Sequence, residues 1–345
     1  MVFRMTAKKR TLLGDVARAA GVSTASVSRV LNGAPHVSER LREKVEAAVE
    51  RLGYVPDGTA RALASRHVGA IGALVPTLDN PIFSAMIDSL ERRLKHHDCR
   101  LLIATYHYNL DDELEALRTL LQQGIDGAVL IGHDHRPAAL ALLRQYALPY
   151  LSCWHSEEDP DWPSIGFDNA APARRLAEHL LELGHRRIAV VTAPTVGNDR
   201  ARARLRGFRD ALDDAGVALP IDRIVTVDYG IEEGAYALQL LMGLDPAPTA
   251  ILCGNDTLAF GVMLAAQKAG IRMPEELSVT GFDDLPQARF MVPPLTTVAA
   301  PAGDIGRRVA DALAARIHRQ PALHCQVIEA PLVLRGSTAA PPSDQ

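Results

Sequence analysis

Near the start of this chain, the residues best suited to chemistry are Thr24, Ala25, Ser28 and Arg29, within the octet TASVSRVL. If the octet is helical, Val27, Val30 and Leu31 fall at i, i+3 and i+4 and turn inward. The four named residues then share the outer face. Three are short, so a helix bearing them can approach another surface closely. The fourth carries a planar guanidinium whose paired donors match O6 and N7 of guanine. That is the chemistry of base reading in the DNA major groove. An ordinary surface helical hairpin shows a weaker form of the same pattern, so the surroundings decide between the two.

No other constellation offers catalysis. Asp111-Asp112 and Asp283-Asp284 are adjacent carboxylates, but neighbours on a strand or loop point apart, and a shared-proton dyad is not expected. His96-His97 falls at a helix end and His133-x-His135 in a loop, with no third ligand in sequence reach, so no metal site is expected. GxGxxG, P-loop and GxSxG patterns do not occur. Cys99, Cys153, Cys253 and Cys325 form no CxxC pair and sit in or beside apolar runs, which reads as buried free thiols in a reducing compartment. Neither a cofactor nor a metal is expected, and the chain is not read as an enzyme.

The elements that must position Arg29 are legible around it. Asp15–Asn32 reads as two short helices broken at Gly21, because glycine enters the left-handed conformation that a tight helix-to-helix turn demands. Ser23 or Thr24 caps the second helix. Ser38 is the candidate cap of a third helix, Glu39–Leu52, whose Leu41, Val45, Val49 and Leu52 close a small core before Gly53 ends it. Charge separates this head from the remainder. Residues 1–67 hold twelve Lys and Arg against six Asp and Glu, and the rest holds 25 against 35. A basic head on an acidic body fits a nucleic-acid-binding module joined to a different kind of domain. Lys8-Lys9-Arg10 is either a phosphate-contacting arm or a frayed terminus. Tyr54–Asp57 is an extended connector. Residues 58–66 (GTARALASR) can form a helix too short to hold alone, from which Leu63 can wedge between base steps in the minor groove; the alternative is a flexible linker with an incidental leucine. No apolar run suits a signal peptide or a membrane span, so a cytoplasmic protein is expected.

From Val68 the pattern alternates between strand and helix. Strands are expected at 68–76, 100–105, 127–131 and 150–153, with helices at 82–98, 113–123 and 140–146. The series then restarts: helices at 171–183, 204–215, 232–241 and 256–269, strands at 187–192, 224–228, 250–253 and 278–282. Parallel sheets covered on both faces follow from such a βαβα order. Two consecutive units imply a cleft between them, with ligand groups at the carboxyl ends of the strands. The 345 residues, 48% of them hydrophobic, are enough to furnish these cores.

The head resembles the LacI/GalR family of bacterial transcription regulators, through DVARAAGVSTASVSRVLNG, VSERLREKVEAAVERLGYVP and ARALAS. The body resembles that family's periplasmic-binding-protein-like effector domain, through NPIF, GFDN, ELGHRRIAVV, RLRGF, CGNDTLAFGVMLAAQKAGIRMPEELSVTGFDD and PPLTTV. The resemblance implies that Thr24, Ala25 and Arg29 read bases, that Ser28 and Asn32 position the backbone, and that Ala60 and Leu63 enter the minor groove. It places Asn80, Phe83, Arg204, Tyr229, Asn255 and Asp283 around a sugar-like effector, whose hydroxyls suit carboxylate, amide and guanidinium partners and whose ring suits an aromatic face. Two departures stand out there. Trp154, followed by His155, occupies a place where the family often has Asp, and Ala300 replaces a frequent polar side chain. Trp154 either stacks on the effector or packs the rim between the halves. In the head, Leu12 stands where the family usually has a capping Thr, with Thr11 one place early.

The expectation is an α/β protein: a three-helix helix-turn-helix head (1–56), a hinge (57–67), and a two-subdomain body (68–337). The first half of the body takes about 68–167 and 300–325, the second about 168–299 and 326–337, before a tail at 338–345. The tail lacks heptad leucines, so a coiled-coil tetramer is not expected. The function expected is a repressor that binds a palindromic double-stranded operator as a homodimer, controlled by a small effector and without membrane association. A solute-binding protein of the same body fold is the alternative, and a sugar-modifying enzyme stands third.

Overall fold

Among the described residues, the head has three helices: α1 (Leu13–Ala20), α2 (Thr24–Leu31) and α3 (Glu39–Leu52). They close on Val16, Ala17, Val27, Val45 and Ala48, with Leu41, Val49 and Leu52 packed against these. The computed structural model describes residues 11–31, 34, 36–55, 68–156, 162–321 and 324–343. The chain divides into two units, Met1–Val68 and Gly69–Gln345. Gly21 takes φ 64°, and the Val22 amide donates to the Ala17 carbonyl at 3.0 Å to finish α1. Of the two candidate caps for α2, Ser23 serves: its hydroxyl accepts the Ser26 N–H at 3.1 Å. Ser38 differs from expectation. Its hydroxyl makes no cap bond to α3, and its carbonyl instead accepts the Leu41 and Arg42 amides at 2.9 and 3.1 Å. The shifted threonine has a different task. Thr11 Oγ1 donates to the Leu52 carbonyl at 3.3 Å, tying the chain before α1 to the end of α3. Asp15 then covers the helix start by accepting the Leu12 N–H at 2.9 Å.

The body holds two parallel sheets. The first contains β1 (Ala70–Val75), β2 (Arg100–Thr105), β3 (Gly127–Ile131), β4 (Tyr150–Cys153), β5 (Ser164–Gly166) and β11 (Cys325–Val327), in the order β11-β5-β4-β3-β1-β2. Helices α4 (Pro81–Lys95), α5 (Leu110–Gln122) and α6 (Pro137–Gln145) connect its strands. The second sheet contains β6 (Ile188–Thr192), β7 (Ile224–Thr226), β8 (Ala250–Cys253) and β9 (Ser278–Thr280), in the order β7-β6-β8-β9. It carries α7 (Ala170–Glu182), α8 (Asp199–Asp214), α9 (Ile231–Met242) and α10 (Asp256–Lys268). Every residue of β1, β3, β6 and β8 is buried, as central parallel strands covered on both faces must be.

After β10 (Thr297–Val298) the chain returns to the first half as α11 (Ala302–Ile317), which packs on α4. Ser89 Oγ donates to the Gly303 carbonyl at 2.7 Å, and Arg93 pairs with Asp311 at 2.7 Å. The changeover expected near residue 325 falls later, because Cys325–Val327 is itself a strand of the first sheet. The chain then crosses again. β12 (Leu332–Val333) pairs antiparallel with β10, and Ser337 Oγ donates to the Val279 carbonyl at 2.6 Å.

Three helices begin earlier than the apolar pattern predicts. Asn109 caps α5 through Asp111 N–H at 3.0 Å, Pro137 opens α6, and Asn198 caps α8 through Ala201 N–H at 3.3 Å. All four cysteines are free, but only Cys153 and Cys253 are buried. Cys99 and Cys325 are half-buried because they lie at the two edge strands of the first sheet. Among the described residues, no helix is long and apolar enough to cross a membrane.

Candidate functional site

On α2, Val27 is wholly buried while Thr24, Ala25 and Arg29 are exposed and Ser28 is half-buried. The inward turn of Val27 therefore leaves one short-chained face with a single guanidinium pointing outward. Asn32, Ala60 and Leu63 lie outside the described residues.

Between the halves of the body lies a chamber lined by Asn80, Ile82, Phe83, Tyr108, Trp154 and Phe167, with Asn169, Arg200, Arg204, Tyr229 and Asp283. In this conformation it has room for about one water molecule. It shares Asn80, Tyr108 and Tyr229 with a wider cleft of about 350 Å³. The carboxyl ends of the strands face this space, where ligands of open α/β sheets gather.

Six of the seven expected effector contacts line the chamber: Asn80, Phe83, Trp154, Arg204, Tyr229 and Asp283. Asn255 does not. Its side-chain oxygen caps α10 by accepting the Leu258 N–H at 2.9 Å, which turns the amide into the helix start, although its Nδ2 is buried without a partner. Asn80 has a similar cap bond, to Ile82 N–H at 3.2 Å, yet remains on the wall.

Trp154 is chamber wall and core at once. It is 3% exposed, packs edge-on against Phe83 at 5.4 Å and Phe167 at 6.0 Å, and donates from Nε1 to Met86 Sδ at 3.0 Å. Its backbone stands at φ 73° and that of Asp283 at φ 126°. Side-chain-bearing residues rarely occupy that region, and such strain collects at binding sites.

Tyr108, Arg200 and Asn169 line the chamber without having been singled out from sequence. Arg200 is 3% exposed; its Nη1 donates to Asp199 Oδ1 at 2.5 Å and to the Ile131 carbonyl at 3.3 Å. Arg204, one turn on, donates to the Gly254 carbonyl at 2.8 Å and lies over the Phe282 ring at 4.7 Å. Its guanidinium stands 3.7 Å from Asp283 Oδ1, beyond a hydrogen bond. Burial drives the Asp283 carboxyl well above the usual carboxylate range, and Arg204 offsets this only in part. Asp199 is the reverse case: burial opposes its ionisation, but Arg200 beside it and the His133 N–H hold it below the usual range. Behind the wall, burial pushes Asp256 up to about 7 despite its bonds from Thr297 and Leu285.

The start of α8 also fastens one half to the other. Asp199 Oδ2 accepts the His133 N–H at 3.0 Å, and Arg202 forks onto both oxygens of Asp134 at 2.7 Å.

Residues 12–57 match the family described as bacterial regulatory proteins, lacI family, and residues 68–335 that of periplasmic binding proteins and sugar binding domain of LacI family. The chain belongs to the LacI family. Curated relatives span nearly its whole length. The ribose operon repressor of Escherichia coli K12 is 34% identical over 326 residues, 94% of this chain and 98% of that protein. The transcriptional repressor PurR of Salmonella typhi is 33% identical over 305 residues, covering 88% and 89%. Among solved structures, the lac repressor dimer bound to operator and an anti-inducer superposes with a TM-score of 0.84 at 30% identity, over 96% of this chain and all of that one. A regulator of the family from Silicibacter pomeroyi gives 0.87 at 27%, over 95% and 99%. This LacI-family protein is a ligand-responsive, DNA-binding transcription repressor, and its relatives are repressors, not enzymes.

Proposed function

We propose that this repressor binds a two-fold symmetric operator as a homodimer and releases or grips it according to whether a small sugar or sugar derivative occupies the chamber. One α2 reads only a short half-site, so two related by a dyad are needed for a specific operator. Arg29 reads guanine through its paired donors, and Thr24 and Ala25 contact adjacent base edges. Ser28 and Asn32 set the backbone register, and Ala60 and Leu63 enter the minor groove. The effector is held by Asn80, Arg204, Tyr229 and Asp283 against the aromatic wall of Phe83 and Trp154. Asn255 acts from behind, by fixing the start of α10. The relatives named as ribose operon repressors make pentoses and their derivatives the first chemical class to screen. The protein performs no catalysis and works in the cytoplasm, where operators are.

The observation that carries this reading is that the chamber wall comes from both halves. Asn80, Phe83 and Trp154 belong to the first and Arg204, Tyr229 and Asp283 to the second, so an occupant must alter how the halves close. A ligand that prefers one closure shifts the population and, with it, DNA affinity. The test is operator binding by gel shift at rising salt, with and without each compound that raises the melting temperature. Specific, salt-sensitive binding that one such compound changes at least tenfold is expected. Compounds that bind the body without altering operator affinity would remove the effector role.

A further inference from the structure

The chamber contains more positive charge than a neutral sugar needs. Arg200 and Arg204 stand one turn apart on α8 and both face it, at 3% and 7% exposure. Asp199 has no free oxygen for a ligand, since one accepts from Arg200 Nη1 and the other from the His133 N–H. Arg200 Nη2 is buried without a hydrogen-bond partner, as is Asp283 Oδ2. An unpartnered guanidinium N–H in so dry a place costs free energy unless something accepts from it.

We propose, resting on the reading of the chamber as the effector site, that the effector is a polyhydroxylated small molecule carrying an anionic oxyacid group, and that Arg200 is the residue that selects the anion. Arg200 Nη2 donates to an anionic oxygen, while Asp283 and the Tyr108 and Tyr229 hydroxyls meet the ligand's own hydroxyls. The charges agree. Asp199 is ionised while burial holds Asp283 toward its neutral form, so the adjacent Arg200 and Arg204 guanidiniums together keep one net positive charge for the anion. A carboxylate or a phosphate monoester fits a pair of guanidiniums better than a hydroxyl does, because both form forked, charge-assisted bonds. A neutral sugar would leave the Nη2 donor with a weaker partner.

The test is calorimetric binding to the full-length protein, without DNA, of matched compounds: ribose, ribonate and ribose 5-phosphate, then glucose, gluconate and glucose 6-phosphate. The carboxylate and phosphate arms separate the two sources of the anion. At least one anionic member should bind about tenfold or more tightly than its neutral parent. The preference should weaken as salt rises and collapse to within about twofold in the Asp199→Asn/Arg200→Met double variant, which removes the buried pair together. Arg200→Lys, which keeps the charge but not the fork, should retain only part of it. The wild-type ranking decides the matter even if the double variant fails to fold. A neutral member binding as tightly as its anions overturns the proposal, as does a panel in which no anion binds, or a double variant that keeps the preference. The effector reading is tested separately: a neutral compound that binds and changes operator affinity sinks the anion while leaving the effector role intact.

Discussion

His155 offers a sharp test of the hydrogen-bond network behind the chamber. Ser152 Oγ donates to the Gly132 carbonyl, so its lone pairs are left to accept, and His155 Nε2 at 2.9 Å must be the donor. Nε2 therefore carries the ring's single proton. Nδ1 is buried with no hydrogen-bond partner, and a second proton there would have no acceptor. Burial accordingly lowers the imidazole from 6.5 to about 4; Asp199 works against the shift, and His133, His135 and Arg200 work with it. Above pH 6.5 neither the folded nor the unfolded chain protonates this ring. Between 6.5 and about 4 only the unfolded chain does, so stability falls as the pH falls through that window. At 1.36 kcal/mol per pK unit, the loss by pH 4.5 is about 2.5 kcal/mol. The parent protein alone would not reveal it. Asp256, raised to about 7, keeps its proton in the fold where the unfolded carboxylate has lost it, and so stabilises in the opposite direction as the pH falls. The difference between parent and His155→Gln cancels such shared terms, and glutamine retains a donor for Ser152. Urea denaturation of both proteins from pH 7.5 to 4.5 should show that the variant's deficit at neutral pH shrinks, or reverses, by about 2.5 kcal/mol at the acid end. A difference flat to within about 0.5 kcal/mol would mean that the fold accommodates the imidazolium, and the tautomer argument would be wrong.

Gly132 sits at φ 86° where a Cβ would overlap Arg200 Nη1 and Asp199 Oδ1; Gly132→Ala should cost about 2–4 kcal/mol by denaturation and weaken effector binding, and a loss under about 1 kcal/mol would show that this wall yields freely. Arg29→Ala should lose about 1–3 kcal/mol at one base pair of the operator and relax the preference there. Gel shifts on point-substituted operators check it, and an equal loss on every sequence would make Arg29 a phosphate contact. Thr11→Val removes the hydroxyl bond to Leu52 and should lower the stability of the head by about 0.5–1.5 kcal/mol, measured on its own calorimetric transition, while the body transition stays in place.

The order of elements was legible because their cores are apolar and periodic. Val27, Val30 and Leu31 fix the inward face of α2, and the wholly buried strands such as AIGALV and IAVVT need no partner information to be read. The start of α8 was missed for the same reason in reverse. Its first two turns bury Arg200, Ala201 and Arg204, and a run such as DRARAR shows no apolar face to a hydrophobic pattern. The signal that could have found it is Asn198, a strong cap six residues after the end of β6. Missing the helix start meant missing Arg200. Asn255 illustrates another limit: an amide at a strand end serves a ligand or a helix cap equally well, and only the Leu258 N–H at 2.9 Å separates the two uses. The tie from Thr11 to Leu52 spans 41 positions, beyond any local pattern.

The contacts that join the two halves set the scale on which an effector can act. The Arg202–Asp134 fork has good geometry, but Arg202 is 50% exposed, so solvent leaves it about 1 kcal/mol or less. The Asp199–His133 bond is charge-assisted and drier, worth about 1.5–3 kcal/mol if its groups find no water on opening. Opening would let water in, so the lower end applies, and the latch as a whole amounts to about 2–3 kcal/mol. Carrying a population from one part in a hundred to ninety-nine needs about 5.5 kcal/mol of differential affinity. A latch of this size therefore biases closure without fixing it. An occupant whose bonds to Asn80 and Asp283 exist together only when the halves are shut supplies the remainder. Gly132 and Arg200 stand where the latch meets the chamber wall, so the residue that selects the ligand also helps set how far its binding can shift the halves.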